Sequence, residues 1–128
     1  MVSASALTQE DLLNAATDYN ARAGGVGTTS KYVRSVRING NTGNVEVTFN
    51  EANVGAIPVS SSLIYTPYIR SSLGVTQLQP ALAGSETGPL DWGCASANNA
   101  VAAGRGLPRV GTHTVAALPA KYAPGECR

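Results

Sequence analysis

Long hydrophobic runs are missing from this chain: no stretch approaches the roughly 20 apolar residues that cross a bilayer, and no basic start with an apolar centre opens it as a secretory leader would. Charge of one sign is missing too. With a net charge of +1 and only 13% charged residues, the chain carries no field of the kind that recruits nucleic acid or acidic lipid. Phe, Trp and Met occur once each, so the core must be built mostly from aliphatic side chains. The surplus of Gly, Ser, Thr, Asn and Ala is that of secreted β-rich proteins with long polar loops. No Asn-x-Ser/Thr sequence occurs, which removes any acceptor for an N-linked glycan.

Catalytic chemistry is equally thin. His113 is the only histidine, in Gly111-Thr112-His113-Thr114, with neither an acid nor a cysteine beside it in sequence. One imidazole makes no metal cage and no nucleophile, base and acid set. The eight carboxylates are scattered, and nothing in their spacing argues for an acid and base pair. No enzyme activity, metal or cofactor is expected. Gly24-Gly25-Val26-Gly27 follows a helix instead of a strand, the reverse of the order a phosphate-cradling loop requires.

What is present suits one domain spanning 1–128, long enough to bury its own core. Thr8 with Gln9, Glu10 and Asp11 marks a helix start, and Leu12, Leu13, Ala16, Tyr19 and Ala23 recur at helical spacing, so an amphipathic helix is expected from about Ala4 to Ala23. The glycines end it. Tyr32–Ile38 and the alternating Val45, Val47 and Phe49, joined through Asn39-Gly40-Asn41-Thr42-Gly43, predict a β-hairpin. Lys31, Arg34 and Arg37 then read as a solvated strand face. Asn50 to Ser61 reads as loop, and Leu63–Ile69 as a third strand, at an edge or irregular because of Pro67. Leu90, Trp92 and Cys94 alternate with Asp91 and Gly93 as a fourth strand, which puts the only tryptophan on the core face. Beyond an Ala- and Gly-rich stretch, a short strand is expected around Thr112 to Leu118. In Ala123-Pro124-Gly125-Glu126, Pro and Gly occupy the two central positions that a type II turn requires.

Cys94 and Cys127 fence off the last quarter of the chain. Paired, they close a loop of about 34 residues, a constraint on the unfolded chain that contributes roughly 3–4 kcal/mol. Such a bond implies an oxidising compartment. The alternative is two free buried thiols, against which stands the polar, Pro- and Gly-punctuated surrounding of Cys127. An oxidised loop without an export signal predicts a targeting segment upstream of Met1.

Helix, glycine-rich connection, four antiparallel strands and a cysteine-bounded C-terminal loop come in the order of a bacterial type IVa major pilin. The most specific pieces are Leu90-Asp91-Trp92-Gly93-Cys94-Ala95-Ser96 and Leu118-Pro119-Ala120-Lys121-Tyr122-Ala123-Pro124-Gly125-Glu126-Cys127-Arg128, which resemble pilins of Pseudomonas and Acinetobacter. The resemblance implies an α+β pilin fold: one N-terminal amphipathic helix (about 4–23) packed on a four-stranded antiparallel sheet (about 31–95), with a disulfide loop (94–127). It also implies a structural subunit of a type IV pilus fibre on a Gram-negative surface, serving adhesion and twitching motility and extending to DNA uptake and phage reception. The partners implied are other pilin subunits in a helical homopolymer, the inner-membrane assembly machinery, and host-cell glycans or abiotic surfaces. In that family a long apolar N-terminal helix holds the polymer together; this sequence does not contain it, so the chain alone is expected to be a monomer. The candidate receptor-binding surface is the run of tail turns: Pro119, Ala120, Lys121, Tyr122, Ala123, Pro124, Gly125 and Glu126. A second reading is a soluble secreted, lectin-like module that uses the same stapled loop without any polymer.

Overall fold

The computed structural model describes residues 8–71, 74–84, 88–107, 113 and 115–128. Helix α1 (Gln9–Asn20) begins where the capping signal lies: Thr8 Oγ1 accepts from the Asp11 N–H, and the Asp11 carboxylate accepts from the Thr8 N–H. Positions 4–7, where the helix was expected to start, lie outside the described residues. The other end falls short of Ala23. The backbone turns left-handed at Ala23 (φ 50°) and Gly24 (φ 75°), which breaks the next turn, α2 (Arg22–Gly25), away from the helix axis.

The hairpin is formed by β1 (Val33–Ile38) and β2 (Val45–Phe49), antiparallel as the alternation predicts. Both ends of α1 are tied to it. Gln9 Nε2 donates to the Gly40 and Asn41 carbonyls, while the Asn20 amide both donates to Ile38 O and accepts from Ile38 N at 2.8 Å. The helix is thereby laid along the hairpin. Gly43, with φ 81°, closes the turn where any Cβ would press on Leu78 and Pro67 at 3.0 Å.

Strand β3 (Ser62–Ser71) is central, so of the two expectations raised by Pro67 the edge is corrected, while an interruption of pairing on one side is found at that residue. Along one side it pairs first with β2 (Ser62 to Tyr65) and then with the short β4 (Gly74–Gln77, from Tyr68 to Ser71); along the other it pairs with β5 (Leu90–Ala95). The sheet therefore has five strands, β4 being one that the sequence did not announce. Pro67 sits where β2 has ended and β4 has not begun, so a residue without an N–H costs no ladder bond on that side. Three stretches expected as loop or connection contain short helices: α3 (Glu51–Val54), α4 (Leu78–Gly84) and α5 (Ala100–Gly104). In place of a strand near Leu118 there is a single parallel bridge from Ala117 to Ser62, and positions 108–112 and 114 lie outside the described residues.

Cross-strand partners share a face. Leu90, Trp92 and Cys94 stand opposite Ile69, Pro67 and Tyr65, so these six lie on one side of the sheet, as the alternation requires. That face has two covers. At one end Leu12 of α1 packs with Ile69, Leu78 and Ala81. At the other, Leu63 and Cys94 pack with Leu118, Ala123 and Cys127 from the C-terminal segment. Trp92 lies on the shared face but remains 41% exposed, contrary to its assignment to the core. The face was read correctly; the extent of the cover was not.

Candidate functional site

Residues 115–128 form a strap across one end of the sheet. It contains no helix longer than a single 3-10 turn, at Ala120–Tyr122 and Gly125–Cys127. A segment with so little internal hydrogen bonding must find partners elsewhere. Ser62 N donates to Ala116 O and Leu118 N to Ser62 O, both at 2.9 Å; Ala97 N donates to Leu118 O at 2.8 Å, and Val101 N to Arg128 O at 3.0 Å. The Ser96 N–H and hydroxyl both donate to Cys127 O. The Cys94–Cys127 disulfide, with Cα atoms 4.6 Å apart, fastens the strap covalently to β5. Both sulfur-bearing residues are buried.

The strap's sequence divides its side chains. Leu118, Ala123 and Cys127 point into the core, while Lys121, Tyr122, Pro124, Gly125 and Glu126 are exposed and Pro119 and Ala120 half-buried. Of the eight residues expected to contact a receptor, Ala123 is thus support and not surface. The turn also differs from expectation. Gly125 is not left-handed, as type II demands; Pro124 is extended (φ −56°, ψ 156°) and its carbonyl accepts from Cys127 N, so the turn begins one residue later. Burial of Cys127 sets this register, because its side chain must reach Cys94.

Lys121 Nζ stands 5.1 Å from the centroid of the Tyr122 ring, a cation–π pair on the outer surface. Beneath it runs an apolar groove of about 330 Å³ whose walls include Phe49, Val54, Leu63, Tyr65, Tyr122 and Pro124. Burial beneath the strap raises the Tyr65 phenol above its ordinary range, and the charge of Glu126 adds to the effect. The Tyr65 hydroxyl lies 3.9 Å from Cys127 Sγ.

His113 has an acid near it after all, reached through a hydroxyl and from far away in sequence. Its Nδ1 lies 2.8 Å from Ser62 Oγ, which donates to Glu46 at 2.8 Å, and its Nε2 faces Ser96 O at 3.0 Å. Serine, histidine and glutamate do meet here, but in the wrong order for catalysis. Ser62 lies between the acid and the imidazole and is fully buried, so it has neither a histidine held by an acid nor access to a substrate. The cluster joins the strap to the sheet. Separations of 51 positions from Ser62 to His113 and 16 from Glu46 to Ser62 left no local signal of it. Among the described residues no group of histidine, cysteine, aspartate and glutamate could hold a metal ion.

A capped helix laid on an antiparallel sheet, with a covalently fastened strap presenting turns at the far end, defines a stapled α+β head whose prominent feature is a rigid outer surface. The family of pilins, the proteins of bacterial filaments, matches residues 2–128, and the chain belongs to that family. The crystal structure of type IV pilin from Pseudomonas aeruginosa strain Pa110594 is similar over 100% of this chain and 86% of its own, with 36% identity and a TM-score of 0.84. A comparison with curated proteins returned no match. The family is a structural one, and this chain is accordingly a pilus subunit whose place is the extracellular fibre.

Proposed function

We propose that this chain is the repeating subunit of a type IV pilus on a Gram-negative cell, drawn from an inner-membrane precursor, and that its strap is the surface through which the fibre adheres. The observation that carries this reading is the exposed Lys121–Tyr122 pair on a backbone already fixed by the disulfide and by its bonds to Ser62 and Ser96. A loop ordered before contact loses little entropy on binding. An aromatic face beside a cation, next to turn carbonyls, suits a hydroxylated ligand such as a host-cell glycan, or a hydrated solid surface. Twitching motility follows from adhesion by a fibre that extends and retracts. DNA uptake and phage reception belong to the same reading, as further uses of the fibre.

The test replaces Lys121 and Tyr122 together by alanine in whole pili. With fibre number unchanged and the disulfide intact, adhesion to glycan-coated and abiotic surfaces should fall. Undiminished adhesion would return the strap to a purely structural role.

A further inference from the structure

One aliphatic side chain stands out from the surface: Val59 is 72% exposed. It is not on a loose loop. Ile57 N donates to Gly55 O at 2.8 Å, the Ser61 hydroxyl donates to Pro58 O at 2.7 Å, and Ser60, left-handed at φ 57°, donates its N–H to the Glu51 carboxylate. Ile57 is packed on the core of the strap end, so the loop is anchored at its root. Pro58 further restricts the backbone. A bare valine held this firmly has the form of a knob.

The same chain carries a hole. Between α1 and the sheet lies an apolar groove of about 210 Å³, walled by Leu12, Ala15, Ile38, Pro67, Leu90 and the half-exposed Trp92. No side chain along it is polar except for the indole N–H, so nothing there would read a sugar or an ion. Its size, about seven waters' share of liquid volume, admits a few aliphatic side chains and not a helix. Knob and hole lie apart: the Val59 loop feeds the first residue of β3, and the β3 residue that lines the groove is Pro67, five residues on and roughly 17 Å along the strand.

We propose that the Val59 loop of one copy seats in the helix–sheet groove of the next copy along the fibre. The proposal rests on the reading of the chain as a fibre subunit. Two different patches on one surface, one filling the other, give a head-to-tail contact that repeats from copy to copy without having to close. The charges agree. Asp18, exposed on α1 next to Ala15 of the groove wall, has no ion-pair partner among the described residues, and neither do Lys31 and Lys121 near the foot of the loop. Lys31 is brought there by its carbonyl, which accepts from Asn53 of α3, and Lys121 by its neighbour Tyr122, which shares a groove with Val54. Opposite charges flanking a small apolar plug orient it and fix its register.

The experiment uses fibres of the full protein carrying Val59→Cys with Ala15→Cys. Ala15 is exposed on the groove wall, and Cys94 and Cys127 are buried in their own bond, so these two supply no competing thiol. Mild oxidation should give a ladder of covalent dimers, trimers and longer species, and neither single variant should. Fibres that form but yield only monomers would overturn the knob-in-groove contact while leaving the fibre reading intact; absence of the chain from fibres of the unsubstituted protein would overturn that reading itself. If the double variant does not assemble, the unmodified protein still decides the matter, because Trp92 is the only tryptophan of the sequence. Its emission should shift to the blue and lose acrylamide quenching on passing from dissociated subunits to fibres. An unchanged Trp92, or one already shielded in dissociated subunits, would overturn the proposal.

Discussion

One face of the sheet is covered in two ways, and the covers differ in kind. At the helix end, α1 satisfies its own backbone, starts on a capping box, and needs only a stripe of two buried residues, Leu12 and Ala16, to sit down. At the strap end the backbone satisfies little by itself, and every stretch of it is fastened elsewhere: to Ser62, to Ser96 and Ala97, to Val101, and through sulfur to β5. A helix makes a cover from local contacts. An irregular segment makes one from long-range contacts and a covalent bond, and so presents turns and exposed side chains that a regular helix would not.

That contrast can be broken most forcefully at the disulfide. Cys127→Ser should cost about 2–5 kcal/mol, and the amide of Leu118 in the strap and that of Ala97, which donates to the strap, should exchange with solvent before those of α1. Uniform loss of protection in both places would mean that the two covers are one cooperative unit. The helix end should respond less. Leu12→Ala removes part of the packing on Ile69, Leu78 and Ala81, and because Leu12 also borders an open groove the loss should lie near the lower end for buried leucine, about 2–3 kcal/mol in chemical denaturation. The strap should keep its protection in that variant.

The smallest expected effect concerns pH and the loop beside the strap. Glu51 is held below the usual carboxylate range by its own backbone N–H, then by that of Ser60, with Arg34 bonded to both carboxylate oxygens at 3.0 Å. A lowered folded value means that the contribution is present above the ordinary carboxylate range and is lost as pH falls through the folded value. Acid should therefore loosen the Val59 loop first, seen as faster exchange of the Ser60 amide, while α1 stays protected. Equal loosening at both ends would remove the distinction between them.

Much of this fold was legible because its signals are local. The hairpin, β3 and β5 appear within a residue or two of where alternation puts them, since period-2 patterning is a property of neighbours. The capping signal at Thr8 and Asp11 is local and lies where α1 begins, although the helix was expected from about Ala4, outside the described residues. The remainder depends on partners distant in sequence. Helices α3, α4 and α5 are too short for periodicity to show, and β4 exists because β3 extends past β2 and offers it an edge. Trp92 was placed on the correct face, yet nothing in the sequence could say that α1 stops short of covering it. Within the candidate site the pairing of Cys94 with Cys127 was legible from the cysteine count and setting; the burial of Ala123, the displaced turn and the Glu46–Ser62–His113 cluster were not. Val59, an aliphatic side chain next to a proline in a stretch read only as loop, was a local signal of the exposed knob.

The position of β3 also ranks the steps by which the molecule assembles. The hairpin closes over one short turn, whereas Ser62 and its partner Ala116 are 54 positions apart and Cys94 and Cys127 are 33 apart. Closing long loops is slow, so the sheet should be complete while the strap is still searching and the Cys94 thiol is still open to an oxidant. Refolding from the reduced state should then proceed in two phases: a fast one reported by the sheet, and a later one that keeps time with thiol oxidation. Until the second ends, Leu63 and Phe49 face solvent at the end of a finished sheet, and that interval is when the molecule is most exposed to aggregation.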